Sequence, residues 1–148
     1  MRLGPIPLLA TLALAGAAAV GWVGRPGETP PGEPIVLSFA DITVVDGDTV
    51  RVRGVLGGER IRLTGFDAPE VMEPRCPHEE ERGRSATAAL RSMLDGAETI
   101  ELTLEPDRDA YGRGLGRLAV DGRDVGERLI VEGLARPYDR GGRRGWCP

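Results

Sequence analysis

Hydrophobic and polar positions first alternate in three consecutive stretches, and such alternation is typical of β-strands. The stretches cover residues 35–45, 49–55 and 59–66. The pair Gly57-Gly58 lies between the second and the third stretch, where it suits a hairpin turn. The first part of the fold is therefore predicted to be a meander of three strands.

The pattern then changes to the period of an amphipathic helix. The apolar residues of this segment are spaced three and four apart and predict one buried face, formed by Ala86, Ala89, Leu90, Met93 and Leu94. Three consecutive glutamates, Glu79 to Glu81, lie in the predicted first turn, where the helix dipole favours negative charge. Gly96 is predicted to end this helix.

Two further alternating stretches, residues 98–104 and 114–120, predict a fourth and a fifth strand. Asp124 and Glu127 then match a D-x-x-E capping box, which begins a second helix. The predicted core face of that helix comprises Val125, Leu129, Ile130 and Leu134. The resulting order, βββ-α-ββ-α, matches a five-stranded OB-fold, which is a β-barrel with helices in the α+β class.

The N-terminal region has the composition of a targeting segment followed by a linker. Residues 3–24 carry no charge, follow Arg2 and include Ala15-Gly16-Ala17, which fits a signal-peptide cleavage site. The same stretch is long enough to be an uncleaved membrane anchor, since a spanning helix needs roughly 20 residues. Residues 25–33 are rich in Pro and Gly and predict a linker.

The chain is therefore expected to comprise a signal peptide or membrane anchor at residues 1–24, a linker at 25–33 and one folded domain at 34–148. This organisation predicts an exported protein, either periplasmic or secreted. The alternative is attachment to the membrane through the N-terminal segment.

The only two cysteines are Cys76 and Cys147, and an exported chain with two cysteines predicts one disulfide between them. The alternative is a zinc site that uses both thiolates and His78. Three ligands without a paired C-x-x-C knuckle are a weak zinc pattern, so the disulfide is the favoured interpretation.

Composition and charge exclude several classes of chemistry. All 19 basic residues are arginines, so no lysine can form a Schiff base or complete a P-loop. With His78 as the single histidine and no G-x-S-x-G motif, acid–base chemistry falls to Asp, Glu, Tyr, Cys or metal-bound water. A net charge of −4 argues against a non-specific nucleic-acid coat, which needs a basic surface.

Three short motifs concentrate carboxylates and arginines in loops or at strand ends. They are D-G-D-T at residues 46–49, R-L-T-G-F-D-A-P-E at 62–70 and D-A-Y-G-R at 109–113. Carboxylate oxygens are suitable ligands for a hard cation such as calcium. Guanidinium groups form bidentate pairs with phosphate oxygens. Together the motifs predict a site that binds both a cation and a phosphate.

In their order and spacing these motifs resemble the staphylococcal nuclease (thermonuclease) family. The resemblance covers residues 41–138 and includes Gly133-Leu134-Ala135. It implies an OB-fold enzyme, expected to be a monomer, that uses Ca²⁺ to hydrolyse phosphodiester bonds of DNA and RNA and leaves 3′-phosphates. The alternative is a catalytically inactive OB-fold module that binds nucleic acid or protein.

The resemblance also implies roles for individual residues. Asp48, Asp67 and the backbone carbonyl of Ala68 correspond to calcium ligands. The remaining matched positions act on the substrate: Glu70 corresponds to the general base, Arg62 and Arg113 to the phosphate-binding arginines, and Tyr111 to the tyrosine that contacts the terminal phosphate of a nucleotide. One departure concerns substrate contacts, because Ala110 stands where the best-known member has lysine.

Overall fold

The computed structural model describes residues 32–138, 141, 142 and 144–148. The predicted signal peptide or anchor and nearly all of the predicted linker lie outside these residues. Within the described part of the chain, no helix is both long enough and apolar enough to span a membrane.

The sheet contains strands that fit the predicted α+β OB-fold class. The strand bounds are β1 Pro34–Leu37, β2 Ile42–Asp46, β3 Thr49–Val52, β4 Glu59–Leu63, β5 Phe66–Asp67, β6 Ile100–Arg108, β7 Gly114–Val120, β8 Arg123–Asp124 and β9 Arg136–Pro137. The main sheet follows the order β1-β6-β7-β4-β3-β2, and β8 pairs with β7. The pairing of β4 with β7 is parallel, and the other neighbours in the sheet are antiparallel. Strands β5 and β9 form a separate antiparallel pair.

The prediction of a single strand at residues 35–45 is wrong, because a 3-10 turn at Phe39–Asp41 separates β1 from β2. The Ser38 hydroxyl donates a hydrogen bond of 2.6 Å to Asp41 Oδ2 and stabilises this turn. β1 can therefore pair with β6 at one end of the sheet while β2 pairs with β3 at the other. The sheet thus curls back on itself through this short segment. The predicted count of five strands also missed β5, β8 and β9, which have two residues each and are too short for a visible alternation.

Two helices pack against the sheet at the predicted positions. Helix α1 covers Pro77–Asp95, and helix α2 covers Val125–Val131. The side chain of Asp124 accepts a hydrogen bond of 3.1 Å from the backbone N–H of Glu127, as predicted for the start of α2. Leu134 lies beyond the end of α2 but still packs against the core.

The core is almost entirely aliphatic. Fully buried side chains come from the sheet and from both helices and include Val50, Ile61, Leu63, Leu90, Leu94, Leu102 and Leu129. Phe66 is the large aromatic residue in this cluster. Close packing of this core holds the strand ends, from which the loops that carry the three motifs extend, in fixed positions.

Candidate active site

The register of the sheet brings the three motifs together. Thr49 of β3 pairs with Arg62 of β4, so the first and second motifs lie side by side. Arg62 also pairs with Leu115 of β7, which follows Arg113 by two residues. Residues that are more than 60 positions apart in the sequence therefore meet at one end of the curled sheet.

The turn between β2 and β3 fixes the position of Asp48. The backbone N–H of Asp48 donates to Asp46 Oδ1 at 3.0 Å, so Asp46 stabilises the turn. A Cβ added at Gly47 would lie 2.7 Å from the Cβ of Ala68 and 2.8 Å from the Cβ of Ala86. Only glycine therefore allows this turn to pack so closely against its neighbours.

Arg62 lies buried between the two aspartates that are predicted to bind the cation. Its side chain is only 7% exposed and forms an ion pair with Asp48 Oδ2. Its Nη2 lies 3.4 Å from Asp67 Oδ1. The guanidinium also donates to the backbone oxygens of Asp48 at 3.2 Å and Phe66 at 3.3 Å. Four contacts thus hold this arginine in one orientation and draw the two carboxylates towards it.

The electrostatic surroundings of Asp48 favour an additional cation. Burial raises the pKa of Asp48 to about 7, and the charge of Asp46 acts in the same direction. Arg62 and the N–H of Ala68, which donates to Asp48 Oδ2 at 2.9 Å, act in the opposite direction. Because these partners do not offset the cost of burial, ionised Asp48 would gain from more positive charge in the pocket.

Asp48, Asp67 and Ala68 fit a calcium site by the chemistry of their donor atoms. Both carboxylates reach the same guanidinium, that of Arg62, so their oxygens converge, and the Ala68 carbonyl would add a third oxygen ligand. The described residues contain no group of three or more His, Cys, Asp or Glu side chains that could hold a metal. Calcium at this site would therefore keep several water or substrate oxygens in its shell, which calcium tolerates.

The loop after β5 carries Glu70 into the same pocket. Glu70 Oε1 accepts hydrogen bonds from the backbone N–H groups of Val71 and Met72 at 2.9 and 3.0 Å. A Cβ added at Gly83 of α1 would lie 2.8 Å from the carbonyl oxygens of Pro69 and Glu70. Helix α1 thus supports the backbone of this loop by direct contact, which the helical pattern alone did not reveal.

Arg113 is held by Asp109 of its own motif. Its backbone N–H and its Nε donate to Asp109 at 2.8 and 2.6 Å, and its Nη1 donates to the Thr49 hydroxyl at 3.4 Å. Partial burial acts to raise the pKa of Asp109, but hydrogen bonds from Arg113 and Tyr111 outweigh it and lower that pKa overall. The Tyr111 side chain is 86% exposed, and its ring lies 5.6 Å from the Arg113 guanidinium.

Asp48, Arg62, Glu70 and Arg113 line one cavity with a volume of about 950 Å³. It contains every residue predicted for catalysis, metal binding and substrate binding: Asp48, Arg62, Asp67, Ala68, Glu70, Tyr111 and Arg113. Further charged residues on its wall are Asp46, Arg60, Glu73, Arg75, Glu79 and Arg144. His78 is exposed and does not line this cavity.

The C-terminal segment contributes to the cavity in a way that the sequence did not predict. A disulfide joins Cys76 to Cys147, as predicted, and it consumes both thiols of the alternative zinc site. Trp146, next to Cys147, is buried, and its indole N–H donates to Asp67 Oδ2 at 3.2 Å. The resemblance ends at residue 138, so only the neighbouring cysteine could have pointed to Trp146.

Comparison with known proteins agrees with this geometry. A family model described as "Staphylococcal nuclease homologue" matches residues 60–144, which is more than half of the chain. The chain belongs to the staphylococcal nuclease family. The matched range contains the second and third motifs, and the ion pair between Arg62 and Asp48 connects the D-G-D-T turn to them.

Individual relatives in this family are described as endonucleases or thermonucleases. An "Uncharacterized endonuclease" of Escherichia coli O157:H7 is 35% identical over 100 residues, which cover 67% of this chain and 60% of that protein. The "SPbeta prophage-derived endonuclease YokF" of Bacillus subtilis (strain 168) is 34% identical over 104 residues, 66% of this chain and 34% of that protein. The "Thermonuclease" of Staphylococcus intermedius is 31% identical over 93 residues, 63% of this chain and 55% of that protein. This chain thus spans between 34% and 60% of the length of these relatives.

Proposed function

We propose that this domain is a calcium-dependent nuclease that hydrolyses phosphodiester bonds of DNA and RNA. The observation that carries the proposal is the single cavity in which Arg62, Glu70 and Arg113 lie together with Asp48 and Asp67. Family membership and the relatives that are described as endonucleases support the reaction class. Phosphodiester hydrolysis needs positive charge for the phosphate, a base for the water and oxygen ligands for a metal, and the cavity supplies all three.

The two arginines that would bind the phosphate differ in how far their side chains are buried. Arg113 has a side chain that is 25% exposed, and Asp109 and Thr49 engage only its Nε and Nη1. Because a guanidinium has five N–H donors, the rest of this group can bind phosphate oxygens. Arg62 is buried and fixed, so it stabilises the negative charge that grows on the phosphoryl oxygens in the transition state.

Glu70 would accept the proton of the attacking water. The two backbone N–H groups that bind Oε1 hold its carboxylate in one orientation. Oε2 would then be the oxygen that takes the proton. Attack in line with the 5′ oxygen breaks the bond between phosphorus and that oxygen, so the product carries a 3′-phosphate. Glu70 is the candidate base that the D-A-P-E segment fixes, and His78 lies outside the cavity.

Calcium held by Asp48, Asp67 and the Ala68 carbonyl would polarise a phosphoryl oxygen as a Lewis acid. The protein's own contribution is to hold these three oxygen ligands near the phosphate-binding arginines. Arg62 does this directly, since it contacts both aspartates.

A second cavity of about 770 Å³ would hold the nucleotide next to the cleaved bond. It shares Arg62, Tyr111 and Arg113 with the first cavity and continues to Tyr138. Aromatic surfaces stack on every base, so a groove of this kind fits action on both DNA and RNA. The exposed hydroxyl of Tyr111 would contact the terminal phosphate of the bound nucleotide.

The direct test is hydrolysis of single-stranded DNA and RNA by the purified domain in calcium, in excess chelator and after calcium is restored. We expect turnover only with calcium, and products with 3′-phosphate ends, which a phosphatase assay detects. Hydrolysis that persists in excess chelator would contradict the calcium assignment. Tight DNA binding without hydrolysis under all conditions would favour the alternative, an inactive binding module.

We also propose that residues 1–24 direct export and that the domain acts as a monomer outside the cytoplasm. The disulfide supports an oxidising compartment, because such bonds rarely persist in the cytosol. Fractionation of producing cells and mass spectrometry of the mature N-terminus would distinguish a cleaved signal peptide from a retained anchor. A reduced protein found only in the cytosol would contradict this proposal.

A further inference from the structure

The C-terminal segment of the described chain folds back onto the metal-binding side of the cavity. The disulfide between Cys76 and Cys147 tethers it to the residue that precedes α1. The Arg136 guanidinium donates to the backbone oxygen of Gly145 at 3.0 Å and thereby fixes the segment a second time. Two independent attachments thus hold the residue between them, Trp146.

Trp146 is enclosed and oriented by cationic side chains. It is 6% exposed, although it lies only two positions before the last residue. The Arg136 guanidinium lies 3.7 Å from the ring centroid, and that of Arg82 lies 5.5 Å from it. Each of these cations is favourably placed over the indole face.

The polar edge of this ring meets Asp67. Trp146 Nε1 donates to Asp67 Oδ2 at 3.2 Å, and Arg62 Nη2 approaches Asp67 Oδ1 at 3.4 Å. The two carboxylate oxygens are therefore contacted by different donors. These contacts restrict the rotation of the carboxylate and so affect the direction in which its oxygens point.

We propose that Trp146 is a positioning residue for Asp67, and that the disulfide acts on the active site by holding Trp146 against Asp67. The proposal rests on the assignment of Asp67 as a calcium ligand. Residues that hydrogen-bond to a metal ligand orient it, and their loss typically costs about 10–100-fold in metal affinity. A tryptophan that only filled space would have no such effect.

Trp146→Phe separates these two roles, because phenylalanine keeps an aromatic face for Arg136 and removes the N–H. Titration of calcium chloride into the substrate-free protein by calorimetry should show a dissociation constant raised by about tenfold. In the hydrolysis assay, the calcium concentration for half-maximal rate should rise by a similar factor. At saturating calcium, kcat should stay within about twofold of the wild type, since the reacting groups are intact.

The double variant Cys76→Ser/Cys147→Ser tests whether the disulfide holds Trp146 in position. It should weaken calcium binding, although the contact of Arg136 with Gly145 still holds part of the segment. Adding Trp146→Phe to it should weaken binding by less than Trp146→Phe does alone, because both changes act on the contact between Trp146 and Asp67. Additive losses of calcium affinity would overturn the link between the disulfide and Trp146.

Val120→Ala is the matched control for general destabilisation. Val120 is buried at the end of β7 that pairs with Ile100, away from the motifs. This variant should melt at a lower temperature and bind calcium like the wild type. Wild-type calcium affinity in folded Trp146→Phe would overturn the inference and leave the proposed function standing. A wild-type protein that neither binds calcium nor hydrolyses DNA would overturn both.

Discussion

Two arginine–carboxylate pairs at the candidate active site have the same chemistry and different surroundings. In the pair of Arg62 and Asp48 the side chains are 7% and 11% exposed, and burial raises the pKa of Asp48 to about 7. In the pair of Arg113 and Asp109 they are 25% and 17% exposed, and hydrogen bonds from Arg113 and Tyr111 overcome the effect of burial and lower the pKa of Asp109. Both residues of the first pair line the first cavity, whereas in the second pair Arg113 lines both cavities and Asp109 lines the second.

This difference shows how one pair can be built for a metal and the other for a substrate. A buried carboxylate that its arginine does not fully stabilise still gains from another cation, as a calcium ligand must. A well-stabilised carboxylate instead serves to hold its arginine in place, and the remaining donors of that arginine can bind a phosphate. The following variants test this division.

The largest effects are expected from Arg62→Lys and Arg113→Lys. Each should lower kcat by about 10²–10³, because an ammonium group lacks the planar fork that faces the phosphate. Arg62→Lys should also lower the melting temperature by about 5 °C or more, since it leaves two buried carboxylates poorly paired. Arg113→Lys should melt close to the wild type. Kinetics and thermal denaturation of both proteins measure this, and equal losses of stability would erase the proposed distinction between the pairs.

Asp48→Asn should stabilise the metal-free protein and abolish its response to calcium. The pKa of Asp48 is raised in the folded state, so its stabilising effect is complete below about pH 4 and is lost as the pH rises to about 7. In chelator at pH 8, Asp48→Asn should therefore melt several degrees above the wild type, and the difference should vanish near pH 4. Calcium should raise the melting temperature of the wild type alone. A variant that is less stable than the wild type at pH 8 would contradict this reading of the buried pair.

The smallest effect is expected from Asp109→Asn. The amide keeps some of the hydrogen bonds to Arg113 but loses the charge, so Arg113 should be less firmly held. We expect KM for single-stranded DNA to rise by about fivefold to tenfold while calcium affinity stays unchanged. Steady-state kinetics and a calcium titration decide this. Weakened calcium binding in Asp109→Asn would mean that the two pairs do not act separately.

Much of the fold could be predicted because its strands and helices bury regular apolar faces. Alternation located β3, β4, β6 and β7, and a polar residue three positions before Glu127 located the start of α2. The break at Phe39–Asp41 was missed because the residues around it continue an apolar pattern. Pairing of that segment with both ends of the sheet is a long-range property, which no local pattern encodes.

The sequence predicted those residues of the site that lie in the three motifs. The sequence suggested that Asp48, Arg62 and Arg113 act together, but not that Arg62 is buried between two aspartates. Burial depends on the register between strands, and a strand residue such as Arg62 could equally have faced solvent. Trp146 was missed for a related reason, since its contact with Asp67 spans 79 residues and lies next to a disulfide that closes the chain over 71 residues.

We propose that this cavity performs the hydrolysis, and the role of Glu70 as general base tests that proposal most directly. The decisive measurement is the initial rate of single-stranded DNA hydrolysis in calcium for Glu70→Gln and for His78→Ala, with folding checked by circular dichroism. Removal of a general base typically lowers the rate by about 10²–10⁴, so we expect a loss of that size in folded Glu70→Gln. His78→Ala should retain the wild-type rate, because His78 is exposed and outside the cavity. Full activity in Glu70→Gln, or a collapse of activity in His78→Ala, would contradict the assignment of Glu70 as the general base of this cavity.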